Sequence, residues 1–238
     1  GYNSSGTSFS SPAVAGAAAL LMNANSSLKS WPEAVKAILM ASAFHNIEGP
    51  ELPNSGGSWT AYDDKDGAGE IVVSTAVTSA LNSWYRVASV NPSSFDPSGH
   101  IDYDDVINAT VGDTWRVVLC WDATATGGPN YTSDTLNADL DLIVLDENGT
   151  AVATSNCWDS SYEICQFVAT STQNYTVRVS RYRFDPGTFT YMAVAWARKE
   201  DVSPCSRAVD INPGDTLSGG TYKGSMFWDT YNVSSWNE

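Results

Sequence analysis

The sequence predicts two architectures in one chain: a helical segment of a larger packed domain, then an all-β jelly-roll sandwich. Three observations carry this. The first third is Ala-rich and helical in pattern, the middle changes to a period of two, and turn residues punctuate that middle at short intervals. The expected bounds are 1–83 for the helical part and 84–199 for the sandwich. Residues 200–238 read as a linker and the truncated start of a further β-domain.

Taken in order, Ser11 to Met22 is apolar on every face, the pattern of a helix buried all round inside more protein than this segment can build. Ser30-Trp31-Pro32-Glu33 reads as a capping box with Pro in the first turn, opening an amphipathic helix through Ala43. A loop rich in Gly, Pro, Asn and Asp runs from His45 to Gly69, and Ile71 to Leu81 gives a short extended piece and a last helix. Candidate strands follow at Tyr85–Val90, Ile101–Val111, Thr114–Asp122, Asp139–Asp146, Ala151–Ser155, Ile164–Val168, Tyr175–Arg181 and Thr188–Ala197. Asn91-Pro92, Asp96-Pro97-Ser98-Gly99, Asn148-Gly149 and Asp185-Pro186-Gly187 lie between them as turns. Eight short strands without helices make a sandwich.

Composition narrows the partners. Twelve Lys plus Arg against 27 Asp plus Glu leave a formal charge of −15, which repels nucleic acid and anionic membrane surfaces. No apolar run reaches the length of a bilayer span. The first residues carry no Met and no leader pattern, so the start reads as a cut. Of four cysteines, Cys157 and Cys165 sit eight apart between two strand-like runs, a spacing that predicts a local disulfide and an oxidising compartment. Cys120 lies in an apolar run and reads as a buried thiol, with pairing to Cys205 left open.

Chemistry is concentrated in Gly6-Thr7-Ser8-Phe9-Ser10-Ser11-Pro12-Ala13-Val14-Ala15-Gly16. Ser8 is expected in a tight turn before a buried helix, whose free amides favour an oxyanion. This run resembles the serine-nucleophile motif of the subtilisin-like peptidases at every fixed position. Gly67 to Val77 is similar, more loosely, to the segment that closes their catalytic domain. The resemblance covers about the first third of the chain. It implies an α/β class for that part, the C-terminal helical portion of a subtilisin-like domain. It also implies Ser8 as acyl-forming nucleophile, with its own N–H in the oxyanion hole and Gly6 and Thr7 shaping the turn. The family's His base, orienting Asp and oxyanion Asn precede the serine in chain order, so they are expected in a further N-terminal part of the same polypeptide. His45 and His100 lack the context of that base and read as turn or surface residues.

Residues 85–198 resemble the β-sandwich that follows the catalytic domain in some bacterial subtilisin-like peptidases. The carrying residues are Val117 to Ala123, Ala138 to Leu142 with Asn148-Gly149, and Tyr162-Glu163. Relatives of this kind can hold structural calcium, for which Asp139 and Asp141 stand at strand spacing two with Asp122 as a third candidate. No cofactor is required for the chemistry itself. Asp63-Asp64-Lys65-Asp66-Gly67 imitates a calcium loop, but Tyr62 and Val73 occupy its first and last ligand positions, so a solvated loop is expected. Trp115, Trp121, Trp158, Tyr175, Tyr191 and Trp196 suit either core packing or a carbohydrate face, and their strand positions favour the core.

The expectation is a secreted, bacterial serine endopeptidase acting on proteins or peptides, here as a portion inactive by itself. Two rivals stand beside it: a non-catalytic extracellular binding or adhesion protein on a degenerate peptidase scaffold, and an esterase. The esterase is the poorer, since Ser10 stands where a Gly-x-Ser-x-Gly elbow needs glycine.

Overall fold

The structure, a computed structural model, describes residues 6–43, 51–53, 58–63, 67–126, 133–157 and 160–199. His45, the Asp64–Asp66 stretch, Trp158, Cys205 and the expected linker and tail from 200 lie outside the described residues.

The helical part comprises α1 (Thr7–Ala24), a 3-10 helix (Ser26–Ser30), α2 (Pro32–Ser42) and α3 (Val73–Leu81). Helix α1 begins four residues before the expected start, directly after Gly6, whose φ of 153° and ψ of 160° are not helical. The Ser30 capping box does not form. Ser30 closes the 3-10 helix and Trp31 becomes the N-cap of α2, without a side-chain cap, while Pro32 holds the first helical position as expected. A short antiparallel pair, β1 (Glu51–Pro53) and β2 (Ser58–Asp63), precedes α3. Among the described residues no parallel strands accompany these helices, so they do not build an α/β unit on their own.

The strands are β3 (Tyr85–Val90), β4 (His100–Ala109), β5 (Thr114–Trp121), β6 (Thr124–Thr126), β7 (Ser133–Thr135), β8 (Ala138–Leu145), β9 (Ala151–Ser155), β10 (Tyr162–Val168), β11 (Gln173–Phe184) and β12 (Thr190–Lys199). One antiparallel sheet runs β10-β5-β12-β3, the other β4-β11-β8-β9, and β6 pairs with β7 as a separate hairpin. Side chains from both sheets interdigitate between them: Val117 and Leu119 of β5, Leu140, Leu142 and Val144 of β8, Val177 and Val179 of β11, and Met192, Val194 and Trp196 of β12. Trp115, Trp121, Tyr175 and Trp196 are all buried there, and Tyr191, 43% exposed, is not. On the outer rim of the second sheet, Arg178 of β11 binds both carboxylate oxygens of Asp102 on the neighbouring β4, at 2.7 and 2.6 Å.

A second core explains why β5 is buried on both faces. Ala34, Ala37, Ile38 and Ala41 recur at helical spacing on α2 and lie against Val118, Cys120, Ala193, Ala195 and Ala197 on the outer face of the β10-β5-β12-β3 sheet. Strand β12 therefore alternates small residues toward the helix with large ones toward the sandwich interior. Small residues let helix and sheet approach closely. Arg116 crosses this interface fully buried. One terminal nitrogen, Nη1, donates to the carbonyls of Met40 at 3.4 Å, Ala43 at 2.9 Å and Ala68 at 2.7 Å, and its Nε donates to Gln166 at 3.3 Å. Its charge thus meets the negative, carbonyl-bearing end of α2.

Helix α1 stands apart from this burial. Only Ala17 and Leu21 are buried, while Phe9, Val14 and Leu20 are 58%, 41% and 51% exposed. The described residues cover one side of α1, packed mainly against α3, the 3-10 helix and α2, and the expected all-round burial would need the further protein that the sequence reading called for. Its C-terminal end is held by Asn25, whose side-chain amide donates to the Ala80 carbonyl and to the Tyr85 hydroxyl, both at 3.0 Å. That one side chain ties α1 to α3 and to the first strand of the sheet. Among the described residues, no helix is long and apolar enough to cross a membrane.

Candidate active site

Ser8 occupies the first turn of α1, exposed, beside Thr7. The expected tight turn is Gly6 itself. Its φ of 153° and ψ of 160° lie where side-chain-bearing residues are strained, and a Cβ there would meet nothing within 4 Å, so the requirement is one of backbone conformation. No side chain caps the helix start, and the Phe9 amide donates to the Gly6 carbonyl at 3.0 Å. The first-turn amides of α1 are thus presented around Ser8, where partial positive charge favours a developing oxyanion. Pro12 falls in the second turn of α1. Lacking an N–H, it leaves the Ser8 carbonyl without its i+4 donor.

The base is not supplied by the described histidine. His100 opens β4, its amide bonded to the Asp96 carboxylate at 2.8 Å and its backbone paired with Ser180 of β11. Among the described residues no hydrogen bond joins Ser8 to a histidine or carboxylate. What stands here is an exposed serine with helix amides around it.

The acidic candidates separate. Asp139 and Asp141 share one face of β8, pointing away from the core that Leu140 and Leu142 enter. Burial, then the neighbouring Asp139, pushes Asp141 up to about 6. Asp122 instead follows β5 on the helix-bearing side of the other sheet, where its carboxylate meets Glu33 of α2. The expected trio for calcium is therefore not one site. Among the described residues no group of three or more His, Cys, Asp or Glu is arranged to hold a metal.

Sequence reasoning named Glu163 only within the sandwich resemblance and gave it no role. Fully buried on β10, its carboxyl accepts from the Cys157 amide at 2.7 Å and makes a short hydrogen bond with the Ser155 hydroxyl, closing the edge between β9 and β10. The Ser155 oxygen in turn accepts from the Ile164 amide at 3.2 Å. Burial above all pushes Glu163 up to about 8, the two hydrogen bonds oppose this, and Asp141 and Asp139 add to it. The folded chain thus keeps a proton that the unfolded chain releases near 4.5. Stability from this group is full below 4.5 and is lost as pH rises through about 8. The unfolding free energy from urea titrations is expected to fall over that interval by a few kcal/mol in order of magnitude, and Glu163→Gln is expected to flatten the fall. An unchanged slope in the variant would refute the assignment.

The expected Cys157–Cys165 bridge is not formed. Cys165 carries a free thiol in the sandwich interior, whereas Cys157 belongs to the core under the helices. Their spacing in sequence placed them near each other but on opposite faces of the sheet. Burial pushes the Cys120 thiol up to about 12 and raises Cys165 likewise, so both are inert as nucleophiles.

Residues 2–89 match the subtilase family, so the chain contains a subtilase-family region spanning somewhat more than its first third. None of the curated proteins compared matches the chain. Among solved structures, the periplasmic inhibitor of g-type lysozyme from Aeromonas hydrophila is similar at 14% identity and a TM-score of 0.31, over 48% of this chain and 84% of that one. The mitogen derived from Yersinia pseudotuberculosis is similar at 15% identity and a TM-score of 0.31, over 57% and 94%. Likenesses this remote carry no statement about fold or function.

Proposed function

We propose that this chain supplies the nucleophile of a secreted, subtilisin-like serine endopeptidase, with Ser8 forming the acyl-enzyme. The observation that carries the reading is the placement of Ser8 just after Gly6, whose positive φ suits glycine, in the first turn of α1, within the region that matches the subtilase family.

In this reading the Ser8 hydroxyl oxygen attacks the scissile carbonyl and its proton passes to a histidine. The carbonyl oxygen, now negative, is met by the Ser8 N–H at the helix start. The histidine, the aspartate that orients it and an asparagine that completes the oxyanion hole come from a further part of the same polypeptide. That part also covers the exposed apolar side of α1, where Phe9, Val14 and Leu20 otherwise face water. The second portion of the chain serves as an appended domain. Its strand order, first-eighth-third-sixth in one sheet and second-seventh-fourth-fifth in the other when β6 and β7 are left aside, supports reading it as a jelly roll.

Without a base, Ser8 is an ordinary alcohol, so the 238-residue chain alone is expected to leave a fluorescein-labelled casein uncut. The longer polypeptide that supplies the histidine is expected to cleave it. Cleavage by the isolated chain, or none by the longer one, would contradict the proposal. Silence in both would favour a non-catalytic binding protein built on the same scaffold.

A further inference from the structure

Outside the serine motif, one surface combines exposed aromatic rings with a pair of neighbouring carboxyl groups. Trp31, Tyr191 and Phe189 form a chain of edge-to-face contacts, with centroids 5.9 Å apart for the first pair and 5.5 Å for the second. Phe189 and Tyr191 are 56% and 43% exposed, unlike Trp115, Trp121, Tyr175 and Trp196 of the sandwich interior. Large exposed rings clustered in this way are a cost in water unless something covers them.

Acceptors lie beside the rings. Glu33, two residues after Trp31, is 8% exposed, and its carboxyl faces that of Asp122, whose own amide donates to the Tyr191 carbonyl at 3.1 Å. Glu33 Oε2 is buried without a hydrogen-bond donor. So is Oδ1 of Asn137, whose amide nitrogen donates to the Phe189 carbonyl at 3.2 Å. The helix's own cation is engaged elsewhere, since the Lys36 ammonium sits over the Tyr162 ring at 4.8 Å. Glu33 and Asp122 share a side-chain hydrogen bond, so the pair holds a proton that an arriving cation would replace.

We propose that this face binds the guanidinium of an arginine on a basic polypeptide. A guanidinium is planar, stacks on aromatic rings, and carries five donors and no acceptor, which matches exposed rings beside the exposed carboxylate of Asp122. The net charge of −15 draws basic partners toward the chain. A neutral sugar would also use the rings but would gain nothing from the paired charges. Burial first, and Asp122 next, raise Glu33 against the opposing bond from its own amide. An arriving guanidinium therefore displaces a proton, and binding tightens as pH rises. The groups around Glu33 in that exchange are Asp122 and Cys120 from the sheet and Lys36 from α2. None of this uses Ser8, so it stands or falls separately from the peptidase reading.

The test is calorimetric titration of the 238-residue chain with the peptide Ac-Gly-Arg-Gly-amide, its citrulline analogue and maltotriose. The arginine peptide is expected to bind saturably and about tenfold or more tighter than the citrulline peptide, a difference of roughly 1.4 kcal/mol. Added salt is expected to weaken it. Glu33→Gln and Tyr191→Ser are each expected to weaken it by about tenfold. Should Glu33→Gln perturb folding, Asp122→Asn at an exposed position gives the same reading. Equal affinity for citrulline, no saturable binding of the arginine peptide, or binding of maltotriose alone would each overturn the proposal. Saturable binding untouched by the variants would place it elsewhere and overturn it too.

Discussion

Ser8→Ala in the complete peptidase is expected to reduce peptide-bond hydrolysis by a factor on the order of 10⁶ in kcat, with KM little changed. The reasoning is local. The side-chain oxygen is the only atom removed, and the helix start that presents it depends on Gly6 and on the backbone of α1 rather than on the hydroxyl. Substrate contacts on other parts of the enzyme survive, so ground-state binding persists while the covalent route closes. Residual turnover from the oxyanion donors and binding alone stays far below the parent rate. A fluorogenic peptide assay measures this directly, and retention of even a tenth of the activity would remove Ser8 from the mechanism.

Replacing Arg116 with methionine is expected to be the most destabilising single change in the described residues, at about 3–5 kcal/mol. Methionine keeps much of the stem volume but carries no donor. The carbonyls of Met40, Ala43 and Ala68 then lose their partner inside a dry interface, and Gln166 loses its bond to Nε. Loss of the charge also removes the cation at the C-terminal end of α2. In thermal unfolding this corresponds to a fall in Tm of roughly 10 °C. Arg116→Lys retains the charge but reaches fewer acceptors, and an intermediate loss is expected. A methionine variant within 1 °C of the parent would show that the helices and the sheet do not depend on this residue.

The strands were legible because their signal is local. Strand β3 runs from Tyr85 to Val90 and β9 from Ala151 to Ser155, as the alternation and the flanking turns predict. The start of α1 was displaced because its signal is a glycine conformation, and the sequence shows only Gly6, not its dihedral angles. The disulfide expectation failed for a reason of period. Eight residues apart across a turn, Cys157 and Cys165 look adjacent, yet the pleat sends Cys165 into the sandwich while Cys157 lies under the helices.

The packing of helices onto the sheet left a trace that a strict alternation reading passes over. Trp115 to Trp121 is buried on both faces, the mark of a strand covered on each side, and Arg116 stands within it. Ala193, Ala195 and Ala197 leave room on one face of β12 for the Ala-rich side of α2. Glu163 and the Trp31–Tyr191 contact join residues far apart in sequence or in different elements, so no window along the chain displays them. The subtilase resemblance was legible because Gly6 to Gly16 is contiguous, and residues 2–89 match that family.

The most direct measurement is residue mapping of the covalent adduct. The complete peptidase would be treated with a fluorophosphonate, digested, and its modified peptide sequenced by mass spectrometry. The account predicts a single phosphonylated residue, Ser8, with labelling lost when the catalytic histidine is replaced. An adduct on any other serine in a fully inhibited enzyme, with Ser8 unmodified, would contradict it.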